Sequence, residues 1–174
     1  MDPLRHIKPS VRALAAYTLA LREAPVKINQ NENPWDLPEA VKRRVLERAL
    51  ARPWSRYPDF DPKELLEALA RFSGWRADGI LAGNGSNEAI EALLLVTVSP
   101  GTKVVIPEPT FTLYALMTTI LGGEPTPSRG ALKVTRASGS PGTHSPSFVY
   151  DVEALLKSRE ESQASITIVC SPNN

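Results

Sequence analysis

The sequence predicts an α/β fold with a largely parallel sheet. Short β-branched runs at residues 103–106 and 166–170 alternate with stretches of helical periodicity, the pattern of strand–helix–strand units. Pro100-Gly101 and Gly122-Gly123 punctuate them. Three polar, turn-rich segments, residues 83–88, 107–111 and 171–174, each follow an apolar run. Ligands of parallel sheets collect at the carboxyl ends of the strands, so these three segments are expected to meet.

Residues 1–34 read as an arm. Residues 10–22 suit a helix or a partly extended segment ended by Pro25, residues 26–28 a short extended piece, and residues 29–34 a polar turn-forming loop. A helix is predicted over 38–51. Pro38 suits its first position, and Val41, Val45, Leu46, Ala49 and Leu50 make an apolar face. Opposite them, Lys42, Arg43, Arg44, Glu47 and Arg48 form either a solvated face or a basic binding patch. Residues 52–59 are a loop with two aromatics and two arginines, a better candidate for function than for core. Asp61-Pro62-Lys63-Glu64 is a helix start with capping-box chemistry; the helix runs to Ser73 and Gly74 stops it, with Leu65, Leu66, Leu69 and Phe72 facing inward.

Residues 80–90 predict a strand, a tight turn and a helix N-terminus. The first N–H groups of a helix lack intrahelical partners, and the macrodipole is positive there. Ser86, Asn87 and Glu88 are therefore a candidate phosphate cradle; a well-capped turn with nothing bound fits the same residues. The helix from 87 to about 98 is apolar nearly all round and is expected to be buried. Next come a strand at 103–106, a helix ending at Leu121 and a short strand at 124–127. Residues 129–150 carry no readable pattern, with a flexible loop or local disorder expected at 138–146. Asp151 caps a helix to about 159, and 166–170 reads as a buried strand.

At 174 residues the chain fits about one domain or a piece of a larger one. Apolar content of 42% is ordinary for a globular protein, and a net charge of +1 points to neither nucleic acid nor an acidic membrane surface. No apolar run is long enough for a transmembrane helix, and no signal peptide is read. With a single cysteine, Cys170, this predicts a reducing compartment, the cytoplasm. His6 and His144 lie far apart, so no metal site is expected. Sixteen prolines, several at turns and helix starts, would suit a thermostable protein.

Five motifs occur in one order: Asn31-Glu32-Asn33-Pro34, Arg56-Tyr57-Pro58-Asp59, Gly83-Asn84-Gly85-Ser86-Asn87-Glu88, Pro107-Glu108-Pro109-Thr110-Phe111 with Tyr114, and Cys170-Ser171-Pro172-Asn173-Asn174. Together they resemble histidinol-phosphate aminotransferase, a class I/II aminotransferase of pyridoxal-phosphate fold type I. The resemblance runs from about Val11 to the last residue, without a match over 129–165. It implies an incomplete three-layer αβα fold. Residues 1–52 would be the N-terminal arm and a small-domain helix, and residues 53–174 the first half of the large cofactor domain.

The resemblance also implies roles. Ser86, Asn87 and Glu88 match the segment that binds the phosphate of pyridoxal phosphate; Asn87 replaces the family's usual aspartate, which a backbone contact survives. Phe111 matches the aromatic on the pyridine ring, and Asn174 the asparagine that hydrogen-bonds its phenolic oxygen. Tyr57 matches a tyrosine that reaches the cofactor phosphate of the neighbouring subunit, which implies a homodimer. Tyr17 matches a residue near the substrate phosphate, with packing as its alternative, and Asn31, Glu32 and Asn33 would line the active site.

No lysine of this chain (Lys8, Lys27, Lys42, Lys63, Lys103, Lys133, Lys157) matches the family's Schiff-base lysine. That lysine, the acidic partner of the pyridine nitrogen and the carboxylate-binding arginine fall beyond the Pro-Asn-Asn motif. The chain is thus expected to be the N-terminal part of such an enzyme, with no catalytic residue of its own, poorly folded and inactive alone. An aromatic aminotransferase, a threonine-phosphate decarboxylase and a non-catalytic phosphate-binding module derived from the fold are the alternatives.

Overall fold

The computed structural model describes residues 3–15, 25–27, 32–136 and 146–173. Two compact units emerge: Met1–Glu23 with Ile90–Asn174, and Ala24–Ala89.

The first unit is built around strand β1 (Lys103–Glu108). Its Val-Val-Ile run has no polar face, as expected for a parallel strand covered on both sides. Val104, Val105 and Ile106 are buried. β1 lies in the middle of a three-stranded parallel sheet, between β2 (Glu124–Arg129) and β5 (Ile166–Thr167). The register pairs Lys103 with Glu124 and Val104 with Ile166. Side chains alternate across the sheet. Val104 and Ile106 join Leu94 and Val98 from helix α4 (Ser86–Thr97) and its end, and Tyr114 from helix α5 (Leu113–Leu121). Val105 joins Ala131, Leu155 and Ala164, with Leu155 on helix α6 (Val152–Ser162). Helices, sheet and helix make the three-layer αβα arrangement that the resemblance implies, on the largely parallel sheet that the sequence predicts.

The punctuation acts as read. Gly122 ends α5 at φ +93°, a left-handed conformation that a side chain disfavours. Asp151 caps α6 by accepting a bond from the Ala154 N–H at 3.1 Å. Its carboxylate also pairs with Lys133 at 2.5 Å. The lysine first, and the Ala154 N–H second, hold Asp151 below the usual carboxylate range. In the arm, helix α1 (Pro9–Arg12) is a single turn, and Lys8 donates to the Ile120 carbonyl at 3.0 Å.

Several expectations are corrected. Residues 129–150, unreadable in sequence, hold an antiparallel hairpin of β3 (Leu132–Arg136) and β4 (Pro146–Tyr150), with Leu132 opposite Tyr150. The loop expected at 138–146 lies, but for Pro146, outside the described residues. The strand expected at 166–170 is shorter and half-exposed. Ile168 N–H still donates to Val105 O at 3.0 Å, but the next rung would require an N–H from Pro107, which has none. Residues 80–82 pair with no strand among the described residues, although Ile80 is extended. Helix α4 is not buried all round: Leu94 is covered, while Leu93, Leu95 and Val96 face outward.

The second unit carries helices α2 (Glu39–Leu50) and α3 (Lys63–Ser73). Neither has a fully buried residue, and of the α3 face predicted to point inward Leu66 and Leu69 are half-buried while Leu65 and Phe72 are not. Phe72 is 90% exposed, and Val45, Leu46 and Leu65 are also open. Periodicity marks an apolar face without saying what covers it. Nor does the predicted capping box form. Pro62 takes the cap position with no side-chain bond, and Glu64 turns instead to Arg48 at 3.0 Å and Arg52 at 3.9 Å. The α2 basic face is largely paired and solvated, through Lys42–Asp36 and Arg43–Glu39 as well.

Leu94 and Leu95 are neighbours with opposite surroundings. Leu94→Ala is expected to lower the unfolding free energy by about 2–5 kcal/mol, the usual cost of a buried leucine. Leu95→Ala should stay within about 0.5 kcal/mol, as for an exposed position. Equilibrium urea unfolding of both variants checks the assignment of faces.

Candidate functional site

Two loops leave the carboxyl ends of adjacent strands, one after β1 and one after β5. Both contain a cis peptide bond, Glu108–Pro109 and Ser171–Pro172. Asn173 joins them. Its Oδ1 accepts a bond from Thr110 Oγ1 at 2.6 Å, and its Nδ2 donates to Pro109 O at 2.8 Å. Of the three segments expected to meet, residues 107–111 and 171–173 are therefore tied directly, while residues 83–88 belong to the other unit.

Phe111 stands one residue beyond the Thr110 anchor. It is half-buried, packed on the core and edge-on to Tyr114, with ring centroids 5.5 Å apart and planes at 85°. The ring to which the resemblance gives a stacking role is thus one that packs on the core. Below it, burial, followed by the neighbouring Cys170 thiol, pushes the Tyr114 hydroxyl up to about 12. Tyr150 comes from β4 and donates to the Cys170 carbonyl at 2.6 Å, tying the hairpin to the β5 loop. Burial is also the main cause that raises Tyr150 above the ordinary phenol range. At the strand ends, Glu108 and Arg129 face each other in register at 3.6 Å.

In the second unit, the start of α4 is the turn that the glycines predict. Gly85 has φ +84°, and its carbonyl opens the helix by accepting from Ala89 N–H at 3.5 Å. Ser86, Asn87 and Glu88 form the exposed first turn, where helical geometry leaves their N–H groups without intrahelical partners. The Glu88 carboxylate folds back to accept from Asn84 N–H. A Cβ on Gly83 would come within 2.9 Å of that carboxylate. Three N–H groups, one serine hydroxyl and a glycine-lined turn fit a phosphate. Glu88 can serve such an anion through its N–H only, since its carboxylate is already engaged and negative.

The remaining expected residues are placed as follows. Tyr57 is 89% exposed in the loop between α2 and α3 and stacks on Phe60, with centroids 6.5 Å apart. Glu32 pairs with Lys27, and Asn33 Oδ1 accepts from Trp35 N–H at 3.0 Å. Tyr17, Asn31 and Asn174 lie outside the described residues. Sequence reasoning missed Thr110, Asn173 and Tyr150. Thr110 and Asn173 sit inside recognised motifs, but their neighbours drew the functional roles. Tyr150 had no signal, because its hairpin was unreadable.

The family model for aminotransferase class I and II matches residues 23–174. The histidinol-phosphate aminotransferase of Chlorobium phaeovibrioides is 35% identical over 174 residues, 99% of this chain and 44% of that protein. Its counterpart from Chlorobium limicola is 34% identical over 169 residues, 97% of this chain and 44% of that protein. The chain thus spans less than half the length of these relatives. Among solved structures, histidinol-phosphate aminotransferase from Sinorhizobium meliloti, in complex with pyridoxal-5'-phosphate, superposes with a TM-score of 0.76 at 19% identity, covering 99% of this chain and 44% of that one. A Thermus thermophilus aspartate aminotransferase mutant gives 0.66 at 21% identity, covering 98% and 43%. These two likenesses show the fold.

The turn and the buried phenol can be tested separately. Gly85→Ala forces a side chain into a left-handed conformation and should cost about 1–2 kcal/mol, read by thermal unfolding. For Tyr114 the folded state holds its proton more tightly than the unfolded state. Its contribution to stability is complete below the ordinary tyrosine value and is lost as pH rises toward about 12. Tyr114→Phe should flatten the alkaline fall in melting temperature above about pH 10.

Proposed function

We propose that this chain, which belongs to the class I and II aminotransferases, serves in a protein that moves an amino group between histidinol phosphate and 2-oxoglutarate, with pyridoxal phosphate as cofactor. The observation that carries this reading is identity of 34–35% to histidinol-phosphate aminotransferases over nearly the whole chain. The bound cofactor supplies an electron sink for charge that develops on the substrate carbon.

The roles proposed for this chain are binding and orientation. Backbone N–H groups of Ser86, Asn87 and Glu88, with the Ser86 hydroxyl, hold the cofactor phosphate at the positive end of α4. Asn87 needs no carboxylate for that contact. Phe111 stacks on the ring, and Asn174 donates to the phenolic oxygen. Tyr57 reaches the phosphate bound in a second subunit, so the working form is a homodimer in the cytoplasm, and its 89% exposure leaves it free for such a partner. Tyr17, Asn31, Glu32 and Asn33 face the substrate. Residues 1–52 serve as arm and small-domain helix, and residues 53–174 as the first half of the cofactor domain. Proton transfer requires the lysine that the family places beyond the Pro-Asn-Asn motif, so the 174-residue chain alone is proposed to be inactive.

Steady-state rates of the full-length gene product on histidinol phosphate, phenylalanine and threonine phosphate test the reading. Charge-assisted recognition of a phosphate should favour histidinol phosphate over phenylalanine by roughly tenfold or more in kcat/KM. A preference for phenylalanine would assign an aromatic aminotransferase instead, and carbon dioxide release from threonine phosphate a decarboxylase.

A further inference from the structure

We propose that Asn173 and Thr110 form a clasp that positions the cofactor site, with neither residue touching the cofactor. The proposal rests on the roles read above for Phe111 and Asn174. Backbone pairing between β1 and β5 ends early: Ile168 N–H bonds Val105 O, and Pro107 supplies no N–H for another rung. Pro109 and Pro172 remove two more donors from the loops that follow. Among the described residues no backbone–backbone hydrogen bond joins the two loops beyond that level, although each leads to a residue with a proposed cofactor role.

The Asn173 amide fills the gap. It receives the Thr110 hydroxyl at 2.6 Å and donates to the carbonyl of the preceding residue, Pro109, at 2.8 Å. Two bonds to consecutive residues fix both the position and the plane of the amide. An amide carries its acceptor and its donor on separate atoms, so it can serve both partners at once. An aspartate would keep the Thr110 bond but set its negative charge against the Pro109 carbonyl. Phe111 follows Thr110 directly, and Asn174 follows Asn173. The clasp therefore holds the loop that carries Phe111 against the loop that follows β5.

The test is a double-mutant cycle in the full-length gene product, read by equilibrium titration of the apoprotein with pyridoxal phosphate. Thr110→Val keeps the shape and removes the donor; Thr110→Ser keeps the donor. Thr110→Val and Asn173→Ala should each weaken cofactor affinity by about tenfold, and the double variant also by about tenfold, because both break one unit. Thr110→Ser should restore affinity to within about twofold and restore the visible absorption maximum of the bound cofactor. Wild-type affinity in Thr110→Val, a hundredfold loss in the double variant, or a lowered melting temperature with unchanged affinity would overturn the clasp alone. If Asn173→Ala does not fold, the two Thr110 variants still decide. Absence of saturable pyridoxal phosphate binding by the wild-type protein would instead overturn the cofactor reading, and the clasp's role with it.

Discussion

Strand β1 has no solvent side. Val104 and Ile106 are buried against α4 and α5, Val105 against α6, and both backbone edges are paired. Each of these side chains contributes about 1.5–3 kcal/mol of apolar burial, and none can be withdrawn without opening a layer. Everything else in the first unit is arranged about that strand. The β2 register, the short β5 and the loop with Thr110 and Phe111 are all set from it. Functional loops work best on a scaffold that does not yield, and β1 supplies one.

The second unit is held differently. Its two long helices bury no residue; Glu64 of α3 pairs in the open with Arg48 of α2 and with Arg52 just past the end of α2. Exposed pairs of this kind contribute about 0–1 kcal/mol each and weaken with salt. Stability is therefore uneven along the chain, high around residues 103–106 and low around 39–73.

The sequence was legible where chemistry is local. The apolar run of β1, the glycine stop after α5, the Asp151 cap and the glycine turn before α4 each declare themselves within a few residues. It was illegible where the outcome depends on residues far away. Leu132-Lys133-Val134-Thr135 alternates over too few residues to stand out, so the hairpin shows only once Leu132 meets Tyr150. Val45, Leu46 and Phe72 have helical spacing, yet spacing cannot name a covering surface. The length of β5 was hidden because it is limited by a proline sixty residues earlier in the chain. At the site, the motifs located both loops, whereas the bridge between them is a property of their meeting.

Strand β2 has a further consequence. Glu124 N–H points to β1, where it donates to Thr102 O at 2.8 Å. By alternation Pro125 and Pro127 lie with their nitrogens on the opposite edge, where a proline has no hydrogen to offer. One margin of the sheet is thereby chemically closed, while the margin beyond β5 keeps ordinary peptide groups. The two borders of the sheet are thus chemically unlike, and the β2 border resists the edge-to-edge pairing that begins aggregates.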